Sequence, residues 1–405
     1  MQQSKRNGGF PLWLFCIFLF ALLVAFFVIR IPRIMESRTP EPSTELTIET
    51  EVLPESPEDT KTAEAESDAA SAAPESVNAV SVDGETDDGA ALIIAEPTPE
   101  PTPEKPEVHI HSYCNGVCSE CGAKPEFVTD FLPAEFYQQI EHAGTVQKYN
   151  YTTKAYVGTE LTYDKSLCVY IPYDYDPAHP YDVLVLVHGS GGDEDSWLNT
   201  IYDYGDIQMC GRVILDNIFD RGLARPCLVV CPVTEIPLCQ GLTSGILQLQ
   251  DELREVILPY IAENYSTYAK DGSIDSLREA RDHFGLGGLS NGALFVYEGG
   301  MRHDFDLFSS FMALSGNGEP WKTVGIIQDD EFKDLPIRCL FTGAGTYNDW
   351  QQNYTEIGYK YFLENEPRVA EGKNAWRVDV QGEHEWKVWF TDLYNALPLM
   401  FQETD

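Results

Sequence analysis

Seven short apolar runs recur between residues 167 and 382, and their spacing limits the folds open to this 405-residue chain more than any other feature. They read LCVYIP at 167–172, DVLVLVHG at 182–189, PCLVVCPV at 226–233, HFGLGGL at 283–289, SSFMALS at 309–315, PIRCLFTG at 336–343 and AWRVDVQG at 375–382. Most are apolar at successive rather than alternate positions, as strands covered on both faces are. Helical stretches separate many of them. In QLQDELREVILPYIAENY, residues 248–265, Leu249, Leu253, Ile257 and Ile261 keep one side of a helix apolar. Strand and helix in alternation predict an α/β domain with a mostly parallel, doubly wound sheet. The segment 125–405 has ordinary globular composition and is long enough for one such core.

The residues ahead of it read as appendages. From Phe10 to Ile29 almost every residue is apolar, and about 20 residues at a 1.5 Å rise span roughly 30 Å of hydrocarbon. That run exceeds the core of a cleaved signal peptide and no small-x-small cleavage site follows it, so residues 1–35 are expected to be a cytoplasmic tip and an uncleaved transmembrane anchor. Lys5 and Arg6 precede the run while Arg30, Arg33 and Arg38 follow it, so charge does not orient it. Residues 36–108 hold 20 acids against 3 bases, with Pro and Thr repeating in EPTPEPTPEKPE and no sustained apolar period. Such a segment cannot bury enough surface to offset chain ordering and is expected to be a disordered acidic tether. A long spacer behind a single membrane helix places the C-terminal side outside the cell.

Residues 109–124, HIHSYCNGVCSECGAK, form a separate island. Cys114, Cys118 and Cys121 stand at C-x3-C-x2-C spacing with His109 and His111 just upstream. Three thiolates and one imidazole from this set would close a structural, tetrahedral zinc site in a stretch too short for a core of its own. The pattern resembles the small His/Cys knuckles on surface proteins of Gram-positive bacteria. A disulfide plus a spare thiol is the competing reading; catalytic metal is disfavoured because four protein ligands leave no open position. Most of the other cysteines, among them Cys227 and Cys231 in CLVVC, sit in apolar runs as small buried side chains, although pairing among Cys210, Cys231 and Cys239 is compatible with an oxidising compartment.

The chemistry centres on GLSNG, Gly288–Gly292, which fits GxSxG, directly follows a predicted strand and opens a helical stretch. A serine on a sharp strand-to-helix turn is strained, and side chains two residues either side would collide, so glycine is expected at both. After Ser290, the loop leaving PIRCLFTG carries Asp349 in AGTYNDW, and the loop leaving AWRVDVQ carries His384 in GEHEWKVW. Nucleophile, acid and base in that chain order are what an α/β-hydrolase requires. Of eight histidines only His303 and His384 follow the serine, and His303 lies just beyond the elbow helix, where a solvated or capping role fits. Asp329, Asp330 and Glu331 precede their strand rather than follow it, which favours Asp349. In VLVLVHGSGGDEDSW a strand breaks into a glycine-rich turn; one oxyanion donor is expected from the Asn291 amide and the other from the amide of Ser190 or Gly191, with His188 bracing the loop.

YIPYDYDPAHPYDVLVLVHGSGGDEDSW, ILDNIFDRGLARPCLVVCP, DELREVILPYIAENYS, GLGGLSNGALF, GAGTYND and GEHEWKVW, in this order over about residues 145–400, resemble the esterase family that includes bacterial feruloyl and acetylxylan esterases, with esterase D, enterochelin esterases and mycolyltransferases as relatives. The resemblance implies the α/β-hydrolase fold, with Ser290 as nucleophile, Asp349 as acid and His384 as base. Feruloyl esterases usually carry Met after the serine, whereas this chain has Asn291, which keeps the amide but changes one wall of the site. WLNTIYDYGDIQMCGR matches nothing that names a substrate.

Charge narrows the partners. From residue 125 onward there are 44 acids against 19 bases, so nucleic acid and other polyanions are repelled and a small-molecule or polysaccharide ester is favoured. Trp197, Trp350 and Trp386 lie near the site loops as candidates to stack on a sugar or aromatic acyl group, while Trp389 reads as core. The expectation is therefore an extracellular, membrane-anchored serine ester hydrolase that needs no cofactor for catalysis. A binding protein on a hydrolase fold is the alternative from another class, and acyltransferase or peptidase activity the alternatives within it. Oligomeric state is not legible.

Overall fold

The computed structural model describes residues 109, 111, 113, 114, 116–156, 161–234 and 242–402, all within the compact unit Thr98–Asp405. The apolar run at 10–29 and the acidic tether at 36–108 lie outside the described residues. Among the described residues no helix is long and apolar enough to cross a membrane.

Eight strands form the central sheet: β1 Thr145–Lys154, β2 Thr162–Ile171, β3 Asp182–Val187, β4 Cys227–Pro232, β5 Phe284–Leu289, β6 Ser310–Leu314, β7 Cys339–Gly345 and β8 Ala375–Val380. Their order across the sheet is β8-β7-β6-β5-β3-β4-β2-β1. The pairs β1/β2 and β2/β4 are antiparallel, and every other neighbouring pair is parallel. The mostly parallel α/β sheet expected from the apolar runs is the one observed. Strand β1 carries no such run; its residues are mainly exposed or half-buried, as befits an edge, and the sequence pattern did not reveal it.

Both faces of the sheet are covered. Along β3, Val183, Val185 and Val187 join one apolar cluster and Leu184 and Leu186 the other, the two-residue alternation of a pleated strand. On the first face the helices α2 Leu242–Glu252 and α3 Leu258–Asn264 are joined by one wider π turn, Leu253–Ile257. Pro259 has no N–H to give the turn before it, which accounts for the local widening. Leu249, Leu253, Ile257 and Ile261 are all fully buried, the face that the sequence period picks out. On the opposite face lie α1 Gly211–Asp220 and α8 Trp386–Met400, burying Ile214, Leu215, Phe390 and Leu393.

The Cys/His segment packs on this second face. Tyr113 and Cys118 are buried members of its apolar cluster, and the His111 N–H donates to the Gly222 carbonyl at 3.2 Å. The turn of its two-residue hairpin has Gly116 at φ +75°, where a side-chain carbon would lie 2.4 Å from the Gly372 carbonyl oxygen.

Helix α8 also buries an acid. Asp392 is fully buried, neither carboxylate oxygen has a hydrogen-bond partner, and a side chain at Gly343 of β7 would strike that carboxylate. Burial pushes its pKa well above the ordinary value and the charge of Asp379 adds to this, with Arg377 opposing. A carboxyl whose native pKa is raised gives its full stability below the unfolded value and loses it as pH rises toward the native one, at up to about 1.4 kcal/mol per pH unit. Asp392→Asn is therefore predicted to raise the melting temperature by an amount that widens from acidic to mildly alkaline pH. Thermal unfolding across that range checks it; a gap that stays constant or narrows contradicts the protonated state.

Candidate active site

Strand β5 ends at Leu289 and the short helix α5, Asn291–Phe295, starts two residues later, so the whole reversal falls on Ser290. Its backbone sits at φ 52°, ψ −114°, a conformation that costs on the order of 1–3 kcal/mol and persists only where its surroundings impose it. The surroundings are backbone. A side-chain carbon at Gly288 would lie 2.4 Å from the Gly292 carbonyl, and one at Gly292 would lie 2.3 Å from the Val187 carbonyl oxygen. The Ser290 N–H donates to the Leu314 carbonyl at 2.9 Å, pinning the bend to the neighbouring strand.

Asp349 lies in the loop after β7 and His384 in the loop after β8, each at a strand's C-terminal end. The structure brings both to Ser290. His384 Nε2 is 3.0 Å from Ser290 Oγ, and His384 Nδ1 is 3.0 Å from Asp349 Oδ1. An ionised Asp349 only accepts, so Nδ1 carries the proton and Nε2 is left to accept from the serine hydroxyl. Asp349 also accepts from Ser315 Oγ at 2.6 Å, from the Gly345 N–H at 3.0 Å and from the Gln351 N–H at 2.9 Å. Burial alone would raise its pKa, but these donors, His384 foremost, outweigh it and hold the carboxyl below its usual range. An imidazole held so between a hydroxyl and a carboxylate can take the hydroxyl's proton as it attacks an electrophile.

Ser315 is a site residue that the sequence analysis missed. It stands at φ 48° just past β6 and accepts from the Trp389 indole N–H at 2.9 Å while donating to Asp349. Its position just past the C-terminal end of a parallel strand, where Ser290, Asp349 and His384 also lie, was the available signal. Asp329, Asp330 and Glu331 follow the helix Pro320–Ile327 and precede β7, while His303 contacts Asp304.

The glycine-rich turn after β3 lies beside the elbow. The Gly192 N–H donates to the Gly189 carbonyl at 3.1 Å, and Gly191 at φ +70° faces open space. Among the described residues the amides of Ser190, Gly191 and Asn291 have no main-chain acceptor. The Asn291 carboxamide donates to the Ser190 hydroxyl, joining the two loops by a contact that Met at this position could not make. His188 braces the turn: its Nε2 accepts from the Thr234 N–H at 3.3 Å, and its Nδ1 therefore donates to the Gly189 carbonyl at 2.7 Å.

A cavity of about 450 Å³ opens over Ser290 and His384, with Tyr202, Trp350, Trp386 and Trp389 in its wall. Trp350 is 63 % exposed and lies 4.0 Å from the His384 ring, ring centre to ring centre. Trp386 stacks on Tyr202 at 4.4 Å. Trp197 corrects the sequence expectation: it is 1 % exposed, donates its indole N–H to the Val187 carbonyl at 3.2 Å and packs edge-on against Trp386, so it supports the wall from behind. Trp389 is buried as expected, yet its edge lies against the His384 ring at 5.0 Å.

Away from this cavity, the ligand atoms of His109, His111, Cys118 and Cys121 all lie within 4.8 Å of one another. The Cys114 side chain lies outside the described ones. Cys168, Cys210, Cys227, Cys231 and Cys339 are free, and Cys239 lies outside the described residues.

No protein-family model matches the chain. Over 293 residues it is 32 % identical to endo-1,4-beta-xylanase Y of Acetivibrio thermocellus, a match that covers 69 % of this chain and 25 % of that protein. The chain thus spans about a quarter of the length of that relative. Among solved structures, a mutant feruloyl esterase module from Clostridium thermocellum complexed with sinapinate aligns with TM-score 0.59 at 24 % identity, over 69 % of this chain and 97 % of that one. A protein designated FAE aligns with TM-score 0.58 at 26 % identity, over the same shares. The chain has an α/β-hydrolase fold and is similar to feruloyl esterases among solved structures.

The elbow sets a sharp test. Gly292→Ala is predicted to destabilise the domain by about 1–3 kcal/mol, the range for forcing atoms into a filled space. For a domain of this size that lowers the melting temperature by roughly 2–4 °C per kcal/mol. An unchanged melting temperature contradicts the close backbone approach at the Val187 carbonyl.

Proposed function

We propose that the chain hydrolyses carboxylic esters linked to carbohydrate, feruloyl or acetyl, through an acyl-enzyme on Ser290. The observation that carries this reading is His384 placed 3.0 Å from both the Ser290 hydroxyl and the Asp349 carboxylate. His384 Nε2 takes the Ser290 proton as Oγ attacks the ester carbonyl, and Asp349 holds the ring in that tautomer and stabilises the imidazolium. The developing oxyanion is received by the N–H of Asn291 and by that of Ser190 or Gly191, donors that need no rearrangement during the step. The imidazolium returns its proton to the departing alcohol, and water then repeats the sequence on the acyl group.

The aromatic wall supports the substrate class. Trp350 and Trp386, with Tyr202 behind the latter, offer flat faces beside the reacting atoms, suited to a phenolic acyl group or a sugar ring. The excess of 44 acids over 19 bases from residue 125 onward favours a neutral ester. The apolar run at 10–29 would anchor the chain in the cell membrane and the tether at 36–108 would hold the catalytic domain outside; this part of the reading rests on sequence alone.

Probe labelling and ester hydrolysis test the chemistry and the substrate. A fluorophosphonate probe should label the full-length protein at Ser290 and fail to label Ser290→Ala; labelling that survives the substitution removes Ser290 as nucleophile. In ester hydrolysis, Asp349→Asn should lower kcat about 10⁴-fold. Adding it to Ser290→Ala should lower the residual rate little further, because the two residues act as one unit. For the acyl group, the protein should hydrolyse methyl ferulate or acetylated xylan in preference to a nitrophenyl ester of a long fatty acid, and Trp350→Ala should raise KM for methyl ferulate several-fold. A preference for the long acyl chain overturns the carbohydrate-ester assignment.

A further inference from the structure

The sequence offers five side chains for a metal at residues 109–121, more than one tetrahedral ion takes. The structure brings four of them together. His109 Nε2 lies 3.4 Å from Cys118 Sγ, and His111 Nδ1 lies 3.4 Å from Cys121 Sγ. Ligands at the zinc distances of about 2.0–2.1 Å for nitrogen and 2.3 Å for sulfur, set at the corners of a tetrahedron, stand roughly 3.3–3.8 Å apart. The His–Cys pairs already stand at that separation, and all four ligand atoms lie within 4.8 Å of one another.

The two imidazoles present different nitrogens, and one has its other nitrogen accounted for. His109 Nδ1 is 3.3 Å from the Glu120 carboxylate, so its Nε2 is free to bind, the carboxylate–histidine arrangement that orients imidazole on a metal. The C-x2-C turn is built by the Gly122 N–H donating to the Cys118 carbonyl at 2.9 Å, and Gly122 sits at φ +75°. In the two-residue ladder Tyr113 pairs with Cys118 and Cys114 with Val117. Four ligands fill a tetrahedral site, which leaves no position for Cys114.

We propose that His109, His111, Cys118 and Cys121 hold one zinc ion, that Cys114 is not a ligand, and that the metal staples residues 109–123 to the face of the domain that carries α8. Two thiolates and two imidazoles in a tetrahedron suit zinc, and four protein ligands close the site against substrate. The segment has two two-residue strands and no core of its own, so metal binding supplies its folding free energy. It nonetheless places Tyr113 and Cys118 in the domain's apolar cluster, and His111 and Tyr113 line a cleft with Tyr394, Asn395 and Pro398 of α8. The ion thus fastens the Cys/His segment to the helix that starts two residues after His384. This inference is independent of the proposed esterase activity.

The test is metal content of the full-length protein purified in the presence of zinc and then dialysed. Wild type and Cys114→Ser should each retain one zinc per chain, whereas Cys121→Ser and His109→Ala should each lose it. Cobalt in place of zinc should give the intense visible bands of a tetrahedral site with thiolate charge transfer, unchanged in Cys114→Ser. Chelation should lower the melting temperature of wild type but not of Cys121→Ser, a readout that does not depend on how well any variant folds at the hairpin. Less than stoichiometric zinc in wild type, zinc lost in Cys114→Ser, zinc kept in Cys121→Ser, or a disulfide between Cys118 and Cys121 in the purified protein would each overturn the proposal.

Discussion

The bend at Ser290 holds because backbone touches backbone on both sides of it. Gly288 rests on Gly292, and Gly292 rests on the Val187 carbonyl of the adjacent strand. No side chain fits into either contact, so the strand-to-helix reversal has one compact solution, and that solution lifts the serine hydroxyl out of the sheet toward the loops. The strain at positive φ is sustained by this packing and by the Ser290 N–H bond to Leu314. Everything else in the site is arranged around a hydroxyl fixed in this way.

The electrostatics follow from two buried acids treated oppositely. Asp349 is surrounded by donors, from His384, Ser315, Gln351 and Gly345, and stays ionised despite burial. Asp392, fully buried and without a hydrogen-bond partner, has its pKa pushed well above the ordinary carboxylate value by burial, with the charges of Asp379 and Asp349 adding to this. Ser315 connects this layer to the aromatic wall, since one hydroxyl both donates to Asp349 and accepts from Trp389.

Helix α8 links the site to the rest of the molecule. Its first residue, Trp386, lines the cavity; its middle carries Trp389 and Asp392; its far end meets the Cys/His hairpin. A segment that composition alone sets apart as an independent knuckle is therefore part of the same packed body, with Tyr113 and Cys118 in a common apolar cluster with Phe390 and Leu393.

The sequence by itself determined the strands that are apolar at successive positions, the apolar side of the helix at 248–265, the elbow, and the order Ser290, Asp349, His384, because each is written in spacings of a few residues or in the chain order of strand ends. Tertiary structure alone decided the edge strand β1, whose half-exposed pattern resembles a loop, and the role of Ser315, whose partners lie 34 and 74 residues away. It also decided that Trp197 backs the wall while Tyr202 and Trp386 form it, and that His109 and His111 lie with Cys118 and Cys121. A tryptophan near a site loop can face either side of that loop. The choice rests on what the other side must pack against, which only the assembled domain supplies.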